Sequence, residues 1–125
     1  MIYFDNAATS PVLPEILDSL KTLYKDYYAN PSSIHKEGQK ARNLIEKSRY
    51  GISQYIGCNS DEIIFTSCAT ESNNLAIIGL AESYPEKNHI ITTPIEHKSV
   101  LMPLKYLSSK GYKIDFVKVD KNGVI

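Results

Sequence analysis

Apolar residues along the chain fall into stretches with helical spacing, separated by short extended runs. Ile2-Tyr3-Phe4 is a short extended run, Asp5-Asn6 breaks it, and Pro11 and Pro14 frame the loop that follows. From Pro14, the residues Ile16, Leu17, Leu20, Leu23, Tyr24 and Tyr27 recur at i, i+3 and i+4, which puts them on one face of a helix. Proline is tolerated in that first turn, and Asn30-Pro31 ends the element because the residue before proline avoids helical angles. A second helix is predicted from about Lys36 to Ile56, with Ala41, Leu44, Ile45, Ile52 and Ile56 as its apolar stripe and Gly38 and Gly51 weakening it. Gly57-Cys58-Asn59-Ser60 reads as a stop and a loop.

Glu62-Ile63-Ile64-Phe65 is the next compact apolar run, predicted as a strand that hands over at once to the small, polar Thr66-Ser67-Cys68-Ala69-Thr70. A third helix carries Leu75, Ala76, Ile78 and Leu80 and ends near Glu82, with Pro85 beyond it. His89 to Thr93 is rich in β-branched residues and reads as a strand. Ser99 to Ser109 is helical, with Val100, Leu101, Leu104 and Leu107 in register. Pro103 inside it requires that it lie in the first turn, or that the helix start later or bend. Gly111 suits a C′ position, Lys113 to Val119 alternates as a strand, and residues 120–123 form a turn. Strand, helix, strand, helix, strand over residues 62–119 predicts an α/β fold, mainly parallel, with helices covering the sheet.

Composition narrows the function. The 125 residues are 42% hydrophobic and 22% charged, which is ordinary for a globular segment. Fourteen basic residues balance fourteen acidic ones, so no electrostatic case exists for nucleic acid or an anionic membrane. No apolar run approaches the roughly 20 residues of a membrane helix, and the start lacks the pattern of a secretory signal. Cys58 and Cys68 form neither a CxxC pair nor a disulfide framework, which makes a reduced, cytoplasmic compartment the expectation.

The residues best placed for chemistry follow the first two predicted strands. In Phe65-Thr66-Ser67-Cys68-Ala69-Thr70-Glu71 an apolar run meets a helix start, whose open N–H groups and positive dipole end suit a phosphate. Thr70 adds a hydroxyl, although Ser67 and Thr70 as mere caps explain the same pattern. The chain has no GxGxxG and no GxxxxGK[ST], so it offers no support for dinucleotide or P-loop binding. His97 follows the next strand, at the sheet edge where α/β folds bind ligands. It can titrate near neutrality or stack as a ring, and an ordinary surface histidine remains an equal alternative. His35 and His89 have weaker claims, and the three histidines show no metal spacing. A helix N-terminus lowers a thiol pKa, which favours Cys68 over Cys58 as a nucleophile, but a small residue fitted to a tight turn is the preferred reading of Cys68. Asp5-Asn6-Ala7-Ala8-Thr9 and Asn30-Pro31-Ser32-Ser33-Ile34-His35 are small, polar turns that serve equally as ligand contacts or as connections.

These segments, in this order, resemble the pyridoxal-phosphate-dependent cysteine desulfurases of the class V aminotransferase family, of the nitrogen-fixation and iron–sulfur-cluster type. The matching stretches are YFDNAAT at 3–9, NPSSIH at 30–35, EIIFTSCATESNNLAI at 62–77 and HIITTPIEHKSVL at 89–101. The resemblance implies a fold-type-I transferase, with residues 1–13 as an N-terminal arm and 14–125 as an incomplete large domain. It implies pyridoxal 5′-phosphate as cofactor, Ala69 and Thr70 at its phosphate, and His97 stacked on its ring and moving protons. The implied reaction takes sulfur from L-cysteine, leaves L-alanine and a protein persulfide, and feeds iron–sulfur cluster assembly. A homodimer and an iron–sulfur scaffold protein are the implied partners, with no nucleic acid and no membrane. Lys98 follows a histidine, as the family's Schiff-base lysine does, but it belongs to the Glu96-His97-Lys98 motif and not to that later pair. Cys68, often glycine in the family, is a turn residue and not the persulfide carrier.

In the family, the Schiff-base lysine, the acidic partner of the pyridine nitrogen and the mobile persulfide cysteine all lie beyond position 125. The resemblance therefore implies a truncated N-terminal fragment, inactive alone, and leaves open whether this chain is itself an enzyme. A selenocysteine lyase, another class V aminotransferase or a non-catalytic partner-binding remnant are the competing expectations.

Overall fold

The computed structural model describes residues 2–125. They form two compact units that meet in sequence between Ile64 and Phe65.

In the first unit the chain opens without regular structure. The Tyr3 hydroxyl donates to the carbonyls of Asp5 at 2.9 Å and Thr9 at 3.2 Å, and the Ala8 and Thr9 N–H groups donate back to Asp5, closing the turn. Helix α1 spans Pro14–Asp26 with proline in its first turn, as predicted. No residue of α1 is buried. Its stripe faces an open apolar groove of about 510 Å³, shared with Ala41, Leu44 and Ile45 of the next helix. That helix, α2, spans Lys36–Ile56 and matches the predicted bounds. Lys40 anchors it to the end of α1, with its ammonium 3.0 Å from the Asp26 carbonyl and 4.7 Å above the Tyr27 ring.

Glycine is required near the start of α2 for a spatial reason. A Cβ at Gly38 would lie 2.5 Å from the Ser33 carbonyl oxygen and 2.8 Å from that of Asn30. The 30–35 turn therefore folds directly onto the helix. The Asn30 side chain accepts from the Ser32 N–H at 2.9 Å, and His35 caps α2 by accepting the Gly38 N–H on Nδ1 at 3.2 Å. At the other end Gly57 adopts φ 81°, the left-handed conformation of a helix stop.

The strand expected over residues 62–65 does not form. Glu62 is drawn instead into a short 3₁₀ turn, Ser60–Glu62, where its carboxylate accepts the Asn59 N–H at 2.7 Å and completes a capping box. Arg49 donates to the Ile63 carbonyl, and the fully buried Ser53 hydroxyl lies 3.2 Å from that of Ser60, tying this turn to α2. A strand also needs a neighbour, and the sheet among the described residues contains only two strands.

The second unit begins with helix α3, Ala69–Ser83. Strand β1, His89–Thr92, helix α4, Lys98–Ser109, and strand β2, Lys113–Phe116, then form a βαβ unit. The strands pair in parallel with His89 opposite Lys113 and Thr92 opposite Phe116. Both are shorter at their C-terminal ends than the predicted 89–93 and 113–119. With the 62–65 strand missing, the five-element arrangement expected over 62–119 reduces to helix, strand, helix, strand, still of α/β type with parallel pairing. Pro103 lies inside α4, beyond the first turn, and the helix starts one residue earlier than predicted. Its ring is buried beside Leu104 and Leu107, so packing offsets the missing hydrogen bond. Tyr112 fastens α3 to this core through a 2.8 Å hydrogen bond to the Ala81 carbonyl. On the exposed sheet face, His89 and Lys113 both contact Asp115, at 2.7 and 2.9 Å.

Two glycine substitutions in α2 should have opposite signs. Gly38→Ala forces side-chain volume against the Asn30 and Ser33 backbone and should destabilise by about 1–3 kcal/mol. Gly51→Ala meets nothing within 4 Å and should stabilise by roughly 0.5–1 kcal/mol through helix propensity alone. Urea unfolding of the two variants beside the parent checks both, and equal midpoints would contradict the close approach at Gly38.

Candidate functional site: the starts of two helices

The turn before α3 is held by short-range hydrogen bonds. The Thr66 hydroxyl lies 2.6 Å from that of Ser72 and donates to the Cys68 carbonyl at 3.3 Å. That carbonyl also accepts the Ser72 N–H at 3.1 Å, the first bond of the helix. Glu71 folds back over the turn, its carboxylate accepting from the Ser67 N–H at 2.6 Å and hydroxyl at 2.7 Å. These two bonds, the hydroxyl's first, hold the Glu71 carboxyl below the ordinary carboxylate range. Glu71 is therefore a closing group of the turn, and it leaves the next donors open.

Cys68 is the N-cap residue, extended in backbone and exposed, with no side-chain cap hydrogen bond. Among the described residues no oxygen accepts from the N–H groups of Ala69, Thr70 or Glu71, as expected for the first turn of a helix. The sulfur shows where this donor set points. The Glu71 N–H, the Ser67 hydroxyl, the Thr70 N–H and the Thr70 hydroxyl, in that order, draw the Cys68 thiol pKa below its ordinary value. The Glu71 and Thr70 N–H groups thus favour negative charge beside the helix start, which is the requirement for holding a phosphate. The predicted cofactor-binding residues Ala69 and Thr70 are the first two residues of α3, both exposed.

His97 is the N-cap residue of α4 and is exposed. Its Nδ1 accepts the Ser99 N–H at 3.1 Å and lies 2.9 Å from the Ser99 hydroxyl. Ser99 is buried and receives the Asn73 side-chain amide at 2.8 Å. This contact joins the opening turns of α3 and α4, separated by 26 residues in sequence. It brings the donor cup of residues 67–71 and the His97 ring to the same end of the helix pair. Lys98 is the first residue of α4.

The remaining candidates take other roles. His35 caps α2, and His89 pairs across the sheet with Asp115. Cys58 is half-buried just after the α2 stop. No cluster of three metal-ligating side chains occurs among the described residues, and no helix among them is long and apolar enough to cross a membrane. The residues missed from sequence are Ser99 and Asn73. A serine two positions after a candidate N-cap was the available signal for Ser99, whereas nothing local points to its pairing with Asn73.

Comparison with known proteins gives a consistent picture. The profile described as Aminotransferase class-V matches residues 2–125. Cysteine desulfurase IscS 1 of Archaeoglobus fulgidus is 44% identical over 126 residues, covering 100% of this chain and 33% of that protein. Among solved structures, a NifS-like protein superposes with a TM-score of 0.89 at 46% identity, over 95% of this chain and 33% of its own. A structure described as SspA in complex with cysteine gives 0.88 at 44% identity, over 98% and 36%. The chain thus spans about a third of the length of the relatives it matches. A TM-score this high agrees with the α/β, fold-type-I reading.

The lowered thiol pKa of Cys68 has a direct chemical consequence. With Cys58 replaced by alanine, alkylation by iodoacetamide should reach half its limiting rate at a pH below that of free cysteine, because the thiolate persists to lower pH. A titration midpoint at or above that of free cysteine would show that the four donors do not converge on the sulfur.

Proposed function

We propose, for a chain that belongs to the aminotransferase class-V family, that residues 67–71 and His97 form the phosphate and ring contacts of a pyridoxal-phosphate site serving the removal of sulfur from L-cysteine. The family is pyridoxal-phosphate-dependent. One observation carries the reading: the 2.8 Å hydrogen bond from Asn73 to Ser99, which gathers an open anion cup and an exposed imidazole at one end of two helices. The cup fits the phosphate, because the Ala69, Thr70 and Glu71 N–H groups at the exposed helix start have no oxygen acceptor among the described residues. The imidazole fits the ring, because its Nδ1 is occupied by Ser99 while the ring remains exposed.

In this reading the Ala69 and Thr70 N–H groups and the Thr70 hydroxyl bind the phosphate. Glu71 keeps Ser67 in place and the turn closed. His97 lies against the pyridine ring and holds a proton at its exposed edge. When bound, the cofactor supplies the electron sink for the reaction, and the protein orients it. L-Cysteine as substrate, with L-alanine and a protein persulfide as products, is supported by the relatives' names and by the cysteine in the SspA complex. In the same reading the enzyme is a cytoplasmic homodimer that passes sulfur to an iron–sulfur scaffold protein, supported by the resemblance to that family. An N-terminal arm over 1–13 and an incomplete large domain over 14–125 belong to it too.

The cup can be tested without turnover. Pyridoxine 5′-phosphate, which has no aldehyde to react with lysines, should slow alkylation of Cys68, and pyridoxine without phosphate should not. Thr70→Val should weaken that protection roughly tenfold to a hundredfold, the range for one hydrogen bond of about 1.5–3 kcal/mol to a charged group. Equal protection by both compounds, or an unchanged Thr70→Val, would remove the phosphate assignment.

Activity divides the roles further. The 125-residue chain incubated with pyridoxal phosphate and L-cysteine should form no alanine beyond the cofactor's own background, since the resemblance assigns none of its lysines, Lys98 included, to the Schiff-base position. In an active protein carrying these residues, His97→Ala should retain cofactor but slow single-turnover alanine formation about 10²–10⁴-fold. A parent rate in that variant would exclude His97 from proton transfer.

A further inference from the structure

Resting on the reading of His97 as the group that faces the cofactor ring, we propose that Ser99, held by Asn73, is a positioning residue that fixes the His97 ring with Nδ1 as acceptor and its proton on Nε2. The backbone N–H of Ser99 lies 3.1 Å from Nδ1. A backbone N–H can only donate, so Nδ1 must present its lone pair, and a neutral imidazole in that state carries its hydrogen on Nε2. The Ser99 hydroxyl, 2.9 Å from the same nitrogen, adds a second donor. The Asn73 amide donates to the Ser99 oxygen at 2.8 Å, which leaves the hydroxyl proton directed at the ring.

Burial divides the two sides of this arrangement. Ser99 is only 7% exposed, so water does not compete for its hydroxyl, whereas His97 is exposed. Two donors from one residue also restrict rotation of the ring about its bond to Cβ. Nε2 is then the ring nitrogen left for a ligand, and it presents an N–H. His97 is thereby set as a donor at Nε2. Ser99 and Asn73 need not touch the cofactor to do this.

The test is the tautomer of His97 in the full chain, read by long-range proton–nitrogen correlation of ¹⁵N-histidine-labelled protein with the ring neutral. Signals are assigned by their loss in His97→Gln. The parent should show the Nε2–H form predominantly. Ser99→Ala should raise the share of the Nδ1–H form roughly two- to tenfold, the range for one net hydrogen bond, and Asn73→Ala should move it in the same direction. Ser99→Thr, which keeps the hydroxyl, should restore the parent pattern. Once His97 is assigned, the parent spectrum reports the tautomer directly, so a Ser99 or Asn73 variant that fails to fold leaves the test decisive. A predominant Nδ1–H form in the parent overturns the proposal, as do Ser99→Ala and Asn73→Ala spectra identical to the parent's. Titration with pyridoxine 5′-phosphate separates this from the cofactor reading. The expected tautomer with unmoved His97 signals keeps the role of Ser99 and removes the cofactor contact, and moved signals with the wrong tautomer do the reverse.

Discussion

The alignment of the candidate site in residues 65–125 depends on one part-buried hydrogen bond between helices, from the Asn73 amide to the Ser99 hydroxyl. Neither partner carries chemistry of its own. Asn73 sits one turn inside α3, and Ser99 is the second residue of α4. Without that contact, the two helices still share the apolar residues that bury Ala81, Leu104 and Leu107, but nothing polar fixes how their starts align. A hydrogen bond imposes a distance and a direction, which burial of apolar area does not. The helix pair thus draws its cohesion from its apolar middle and its alignment from its polar opening turns.

Helices α1, α2 and α4 were legible because their periodicity is strong. Tertiary context did not override the stripes of α1 and α2, and the bounds of α2 agree with the sequence reading. The run from Glu62 to Phe65 was not legible, because a strand is a property of two chains and local preference cannot supply the second. The capping box from Asn59 to Glu62 is itself a readable pattern, and it claimed the residue that was to open the strand. Pro103 shows the opposite case: a residue that argues against a helix interior is tolerated because its ring is buried.

Within the candidate site, Ala69, Thr70 and His97 could be picked out because each occupies a junction, where a helix begins and backbone donors are open. Ser99 and Asn73 could not, since their role is a contact across 26 residues that no local pattern encodes. Cys68 lay between these cases. Its sequence position suggests a perturbed thiol, and the neighbouring Glu71 and Thr70 N–H groups lower its pKa, yet the same groups explain the residue better as an occupant of an anion cup than as a nucleophile with a base.

The contact of Gly38 with the Asn30–Ser33 turn governs how this chain tolerates changes in length. The turn is seated on the α2 backbone, and the His35 cap and the Lys40 anchor both depend on its path. An inserted or deleted residue between α1 and α2 would lift the turn off Gly38 and shift both anchors together, so indels there act on the whole segment at once. After α4 the constraint is conformational instead: a Cβ at Gly111 would meet nothing within 4 Å, but its φ of 96° lies in the left-handed region that other residues rarely adopt. The α1–α2 connection is thus held to its length by packing, and the turn after α4 by the backbone angle of its glycine.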